Sequence, residues 1–180
     1  GAKFHGLNVD DGVGQILAAD GVYMGGGNSF LLNRDLHRYG LIDALRDVVK
    51  QGIPYLGVSA GSNVACPTMM TTNDMPIVMT PSYEALGIVP FQINPHYYPG
   101  KITFFSEGES NDHFGESRRQ RISEYHQHEA IPVLGLWEGS YVQWDGSRGR
   151  LIGRARAFYR DLEPVDLEDG AMFDGSLTLK

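Results

Sequence analysis

A chain of 180 residues, 42% hydrophobic and 21% charged, is long enough to bury a continuous core and predicts one soluble globular domain over residues 1–180. The net charge of −7 and a pI near 5.3 argue against a nucleic-acid or anionic-membrane partner, because either requires an excess of Lys and Arg over the contact surface. A single cysteine, Cys66, permits no internal disulfide and fits a reducing, cytoplasmic compartment. The longest apolar stretch, Ala130 to Trp137, is too short to span a bilayer, and Gly1 to Asp11 lack the charged-then-apolar order of a signal segment.

Strand and helix signals alternate along the chain without repeats or a linker, which predicts a single α/β unit. Gly21 to Met24 is a short strand that runs into three glycines, Gly25 to Gly27, and Asn28 is placed to cap the helix that follows. After a break at Gly40, Leu41, Leu45, Val48 and Val49 fall on one helical face until Gly52 and Pro54 end it. Ile53 to Val58 reads as a buried strand and passes at once into the small residues Ser59-Ala60-Gly61-Ser62-Asn63. Ile88 to Ile93 leads into Asn94-Pro95-His96, and Ile131 to Leu136 into Trp137-Glu138-Gly139. Tyr141 to Trp144, the turn Asp145-Gly146-Ser147 and Leu151 to Tyr159 predict a hairpin closing the domain, with an acidic, uninformative tail after Asp161.

Three apolar runs therefore each end in a reactive side chain. In open α/β sheets the ligand crevice lies beyond the carboxyl ends of parallel strands, so a serine, a histidine and a carboxylate there converge although distant in sequence. Gly57-Val58-Ser59-Ala60-Gly61 fits the G-x-S-x-G nucleophile elbow, in which flanking glycines let a tightly turned backbone expose the hydroxyl. A serine hydroxyl needs a base within hydrogen-bond reach and a third group to fix the tautomer of that base. Of six histidines, His96 is the candidate base: it follows an apolar run directly, whereas His113, His126 and His128 sit in a very polar stretch and read as surface. For the third group two residues stay open. Glu138 follows a strand end; Asp74 lies in Thr71-Thr72-Asn73-Asp74-Met75-Pro76, where a turn role competes with an acid role. His126-x-His128 lacks the further ligands of a recognisable metal site, so neither a metal nor a cofactor is expected. A nucleotide cradle at Gly25 to Gly27 is disfavoured, since no Gly-Lys-Ser/Thr follows.

Gly25-Gly26-Gly27-Asn28, Gly57 to Asn63, Ala65-Cys66-Pro67, Thr71 to Ile77, Gln92-Ile93-Asn94-Pro95-His96 and Glu138-Gly139 together resemble the aspartyl dipeptidase, or peptidase E, family of serine peptidases, from about Gly21 to Trp144. The resemblance implies a Ser59, His96, Glu138 triad, favouring Glu138 over Asp74. It also implies a doubly wound, mostly parallel α/β sheet with helices on both faces, related to the class I glutamine amidotransferases. By the same resemblance the oxyanion hole is the Ala60 amide with that of Gly26 or Gly27. The family hydrolyses dipeptides that begin with aspartate, and Glu116-Ser117-Arg118-Arg119-Gln120-Arg121 resembles its Glu-Thr-Arg-Glu-x-Arg stretch. Arg118 and Arg121 match as binders of the aspartyl carboxylate, and Arg119 departs from the family glutamate. The expected partner is thus a small aspartyl peptide.

One departure concerns length. The family carries a longer region ahead of its glycine loop, which implies a fragment lacking the first strands and an exposed parallel edge covered in a homo-oligomer or by a complementing chain. Two rival functions follow from other classes: a cyanophycinase-like hydrolase of polymeric aspartyl-arginine, and a non-catalytic remnant that binds aspartyl ligands without turnover.

Overall fold

The computed structural model describes residues 3–113 and 117–179. The chain divides into two compact units, Gly1–Pro90 and Phe91–Lys180.

In the first unit a 3₁₀ turn at Val9–Asp11 precedes helix α1 (Gly12–Leu17) and strand β1 (Val22–Met24). Helices α2 (Ser29–Arg38) and α3 (Ile42–Lys50), strand β2 (Tyr55–Gly57) and helix α4 (Ala60–Ala65) follow. β1 and β2 pair in parallel with Val22 opposite Tyr55 and Met24 opposite Gly57, the geometry that a helical crossover between them permits. The predicted apolar face of α3 is real: Leu41, Leu45 and Val48 are buried, and Val49 packs partly buried against the same cluster as Ile16, Leu36 and Val64. Burying a side chain such as Leu45 fully contributes about 1.5–3 kcal/mol. Asn28 caps α2 as expected, its side chain accepting the Leu31 N–H at 3.1 Å. Gly40 and Gly52 take the left-handed φ values, +64° and +98°, with which α2 and α3 terminate.

In the second unit, strand β3 (Gln92–Asn94) is followed by β4 (Thr103–Ser106), β5 (Glu109–Asp112) and helix α5 (Arg118–His128). Then come β6 (Val133–Leu136), β7 (Tyr141–Trp144), β8 (Arg148–Ile152), β9 (Ala155–Tyr159), β10 (Leu162–Leu167) and β11 (Met172–Asp174). One sheet runs β10-β9-β6-β3, a second β11-β8-β7, and β4 with β5 forms a hairpin. β3 and β6 are parallel, with Gln92 opposite Val133 and Asn94 opposite Gly135, and α5 lies between them in sequence.

The chain is thus a mixed α/β structure in which parallel pairing joins β1 to β2 and β3 to β6. The expectation of a mostly parallel sheet needs correction, because the other ladders among the described residues are antiparallel. The hairpins β4–β5, β7–β8 and β9–β10 are joined by turns too short for a helical crossover, which imposes antiparallel pairing, and β6–β9 and β8–β11 are further antiparallel ladders between strands that are not consecutive in the chain. The predicted final hairpin is also divided differently. Leu151 to Tyr159 is not one strand: Gly153, at φ +95°, breaks it, so that β8 pairs with β7 and β11 while β9 joins β6 and β10. The tail after Asp161 is structured, supplying β10 and β11 with Leu167 and Phe173 buried. Among the described residues no helix is long and apolar enough to cross a membrane.

Candidate active site

In the first unit, Ser59 stands between β2 and α4 with φ +54° and ψ −111°, a strained conformation for a residue with a β-carbon. Both flanking glycines are required by contact. A β-carbon on Gly57 would lie 2.5 Å from the Gly61 carbonyl oxygen, and one on Gly61 would lie 2.1 Å from the Met24 carbonyl oxygen. These obstacles are backbone atoms, so relief means moving β1 or α4. Gly61→Ala is therefore expected to destabilise the protein by about 3 kcal/mol, read as a lowered urea midpoint with unchanged slope. The elbow is held further by the Tyr55 hydroxyl, which donates to the Gly61 carbonyl at 2.7 Å and whose pKa burial raises, so that it stays a donor. The Val58 N–H donates to Met24 at 2.9 Å and carries the parallel pairing up to the serine.

The glycine loop lies against that serine. A β-carbon on Gly26 would sit 3.2 Å from Ser59 Cβ and 3.7 Å from its Oγ, and Gly27 has φ +139°. Asp74 fixes the end of this loop. Its Oδ2 accepts both the backbone N–H and the hydroxyl of the fully buried Ser29, each at 2.7 Å, and the Thr72 hydroxyl donates to Ser29 Oγ at 3.0 Å. The Asn28 amide donates to the Met75 carbonyl at 2.9 Å. A carboxylate in this place satisfies N–H groups that the first turn of α2 leaves unpaired and complements the helix dipole. Sequence reasoning missed this network, since the bonds run 43 to 47 residues along the chain and the only local sign of them is the polar run Thr71 to Asp74.

In the second unit, His96 and Glu138 leave neighbouring parallel strands at the same end, two residues beyond Asn94 of β3 and three beyond its partner Gly135 of β6. His96 Nδ1 is hydrogen-bonded to Glu138 Oε1. A proton on Nδ1 shared with a carboxylate leaves Nε2 as the basic nitrogen, the tautomer that a general base requires. His96 also has a left-handed φ, +55°, and the following Tyr97 N–H donates to the Leu136 carbonyl at 2.9 Å. On the other side Gly139, at φ +74°, completes the turn that presents Glu138, closed by Ser140 N–H to Trp137 carbonyl at 3.2 Å. Of the two acids left open by the residues alone, Glu138 is the one hydrogen-bonded to His96, while Asp74 is engaged by Ser29.

Arg118 and Arg121 sit one turn apart at the start of α5, where Ser117 caps the helix by accepting the Gln120 N–H at 3.2 Å. Arg118 is half-buried and Arg121 exposed. Arg119, which departs from the family pattern, pairs with Glu163 at 3.6 Å on the surface; Glu116 lies outside the described residues. The reading of His126 as surface is corrected: it is 8% exposed, and its ring Nδ1 donates to the Glu129 carbonyl at 3.2 Å. Among the described residues no cluster of three or more His, Cys, Asp or Glu side chains is arranged to hold a metal ion.

Residues 6–152 match the sequence model of peptidase family S51. The chain belongs to that family. A peptidase E of Streptomyces coelicolor is 46% identical over 163 residues, covering 89% of this chain and 64% of the relative. A Drosophila melanogaster protein named probable alpha-aspartyl dipeptidase is 44% identical over 140 residues, covering 77% of this chain and 55% of the relative. This S51 member thus spans less than two thirds of the length of those relatives. Its fold is similar to the crystal structure of a peptidase from an acI-B1 Actinobacterium, with a TM-score of 0.60 at 15% identity over 90% of this chain and 62% of the other.

Proposed function

We propose that this S51 chain is a serine exopeptidase that hydrolyses dipeptides with an N-terminal aspartate. The observation that carries the reading is the pair of strained presentations: Ser59 at φ +54° on a strand-to-helix elbow, and His96 at φ +55° hydrogen-bonded to Glu138. Ser59 Oγ attacks the aspartyl carbonyl carbon as His96 Nε2 takes its proton. The Glu138 carboxylate, bonded to Nδ1, stabilises the imidazolium. The Ala60 amide, with that of Gly26 or Gly27, receives the developing oxyanion, an interaction of about 3 kcal/mol per donor. Collapse breaks the C–N bond and His96 returns the proton to the leaving amine. Water, deprotonated by His96, then attacks the aspartyl ester carbonyl; the acyl C–Oγ bond breaks, aspartate leaves, and His96 returns the proton to Ser59 Oγ.

Arg118 and Arg121 are the proposed holders of the aspartyl carboxylate, because a guanidinium offers it parallel charge-assisted bonds. The relation of the fold to class I glutamine amidotransferases belongs to the same reading, supported by the β2–Ser59–α4 elbow and by the adjacent parallel ends of β3 and β6. So do action of residues 1–180 as one domain, a cytoplasmic setting, and small aspartyl peptides as partners, alone or within a homo-oligomer or with a complementing chain.

The test is hydrolysis of aspartyl-p-nitroanilide beside the leucyl and glutamyl analogues. A leucyl substrate forfeits a charged hydrogen-bonding group, so its kcat/KM is expected to fall about 100-fold below the aspartyl value. Equal rates would remove Arg118 and Arg121 from specificity. Turnover of polymeric aspartyl-arginine alone would favour a cyanophycinase-like enzyme, and aspartyl binding without turnover a non-catalytic remnant.

A further inference from the structure

Tyr97 follows the reactive histidine directly, yet it is 2% exposed and no step of the proposed chemistry uses it. Its surroundings are specific. The ring lies on the backbone of Gly135, where a β-carbon would come within 2.7 Å of Tyr97 Cγ and Cδ2, so only glycine admits it. The ring also meets Trp137 edge-on at 4.7 Å between centroids and Phe158 at 5.4 Å. Its backbone N–H is bound to Leu136 at 2.9 Å. One residue therefore touches three successive positions, 135, 136 and 137, that lead into Glu138, while being joined covalently to His96.

The far side of this packing is also fixed. The Trp137 N–H donates to the Arg154 carbonyl at 3.2 Å, and the Arg156 guanidinium lies 6.0 Å from the Trp137 ring while it bonds Asp166 at 2.5 and 2.8 Å. Trp137 is thus contacted by the tyrosine ring and by Arg156, and the next residue along the chain is Glu138. His96 in a left-handed conformation has no preference of its own for this geometry; about 1–3 kcal/mol of backbone strain must be offset by contacts around it.

We infer that Tyr97 is a positioning residue for the His96–Glu138 pair, acting through the packing of its ring on Gly135 and Trp137. The inference rests on the reading of His96 as general base. It assigns the work to the ring face and edge, so phenylalanine replaces tyrosine without loss. Burial raises the phenol pKa above its ordinary value, against the pull of Arg156.

The experiment compares wild type with Tyr97→Phe, Tyr97→Leu and Tyr97→Ala in ¹⁵N-histidine-labelled protein, and follows the same variants on aspartyl-p-nitroanilide. The carboxylate-bonded Nδ1 proton of His96, assigned by its absence from His96→Gln, is expected downfield in wild type and Tyr97→Phe and lost or broadened in Tyr97→Leu and Tyr97→Ala. In parallel, kcat is expected to fall about 10- to 100-fold in the last two with KM within about threefold. Tyr97→Phe stays within about twofold on every measure. Should Tyr97→Ala not fold, Tyr97→Leu carries the comparison. A Tyr97→Leu protein that keeps both the proton signal and kcat overturns the inference, and so does a Tyr97→Phe protein that loses them. Wild type without turnover, but with a proton signal that responds as described, would sink the proposed chemistry and leave the positioning role standing.

Discussion

Ser59→Ala is expected to lower kcat on an aspartyl substrate by about 10⁴- to 10⁶-fold while leaving KM within a few-fold. The size follows from the chemistry: without Oγ there is no acyl-enzyme, and what remains is catalysis by oxyanion donors and substrate binding. The substitution is also sterically quiet. Alanine retains the β-carbon that packs 3.2 Å from the position a Gly26 β-carbon would take, and it carries the same left-handed strain as serine. Loss of activity with an unchanged urea midpoint therefore reports the nucleophile rather than the fold. A variant that keeps a tenth of wild-type kcat would show that another group attacks, and the strained φ of Ser59 would then need a different cause.

The elbow was legible in the sequence because its requirements are local. A short apolar run, a serine and two glycines at fixed offsets define a backbone path that only glycine permits at positions 57 and 61, and contacts of 2.5 and 2.1 Å bear that out. The α3 face was legible for a similar reason, since Leu41, Leu45 and Val48 report their burial through helical spacing alone. The strand end ahead of Glu138 could also be placed, as an apolar run halting at polar residues, whereas the run Ile88 to Ile93 ahead of His96 forms a strand only at Gln92–Asn94.

Long-range choices were hidden. Nothing in Leu151 to Tyr159 says that a turn at Gly153 sends β8 and β9 into different sheets, because a turn residue fixes a local bend and not the partner strand. His126 looked exposed among polar neighbours, yet tertiary packing buries it on a helix face that its own turn does not mark. The acid was ambiguous between Asp74 and Glu138 for the same reason. A carboxylate discloses its role through its partner, and Ser29 lies 45 residues from Asp74 while His96 lies 42 from Glu138.

That ambiguity defines the second large effect. Glu138→Gln is expected to lower kcat by about 10³- to 10⁴-fold, because glutamine can still accept the Nδ1 proton but supplies no charge to the imidazolium formed in the transition state. Its effect on stability should be small. The two side chains are 48% and 77% exposed, and an ion pair in that setting contributes at most about 1 kcal/mol. Asp74→Asn should behave in the opposite way: it weakens two charge-assisted bonds at the start of α2, costing about 1–3 kcal/mol of stability. Its kcat should fall far less than that of Glu138→Gln, since His96 keeps its partner, although the glycine loop beside Ser59 loses part of its anchor. Urea midpoints and single-turnover rates on the two variants separate these roles. If Asp74→Asn proved the catalytically silenced, stable variant and Glu138→Gln the unstable, active one, Asp74 would be the orienting acid, and the His96–Glu138 bond would be a surface ion pair with no part in the reaction.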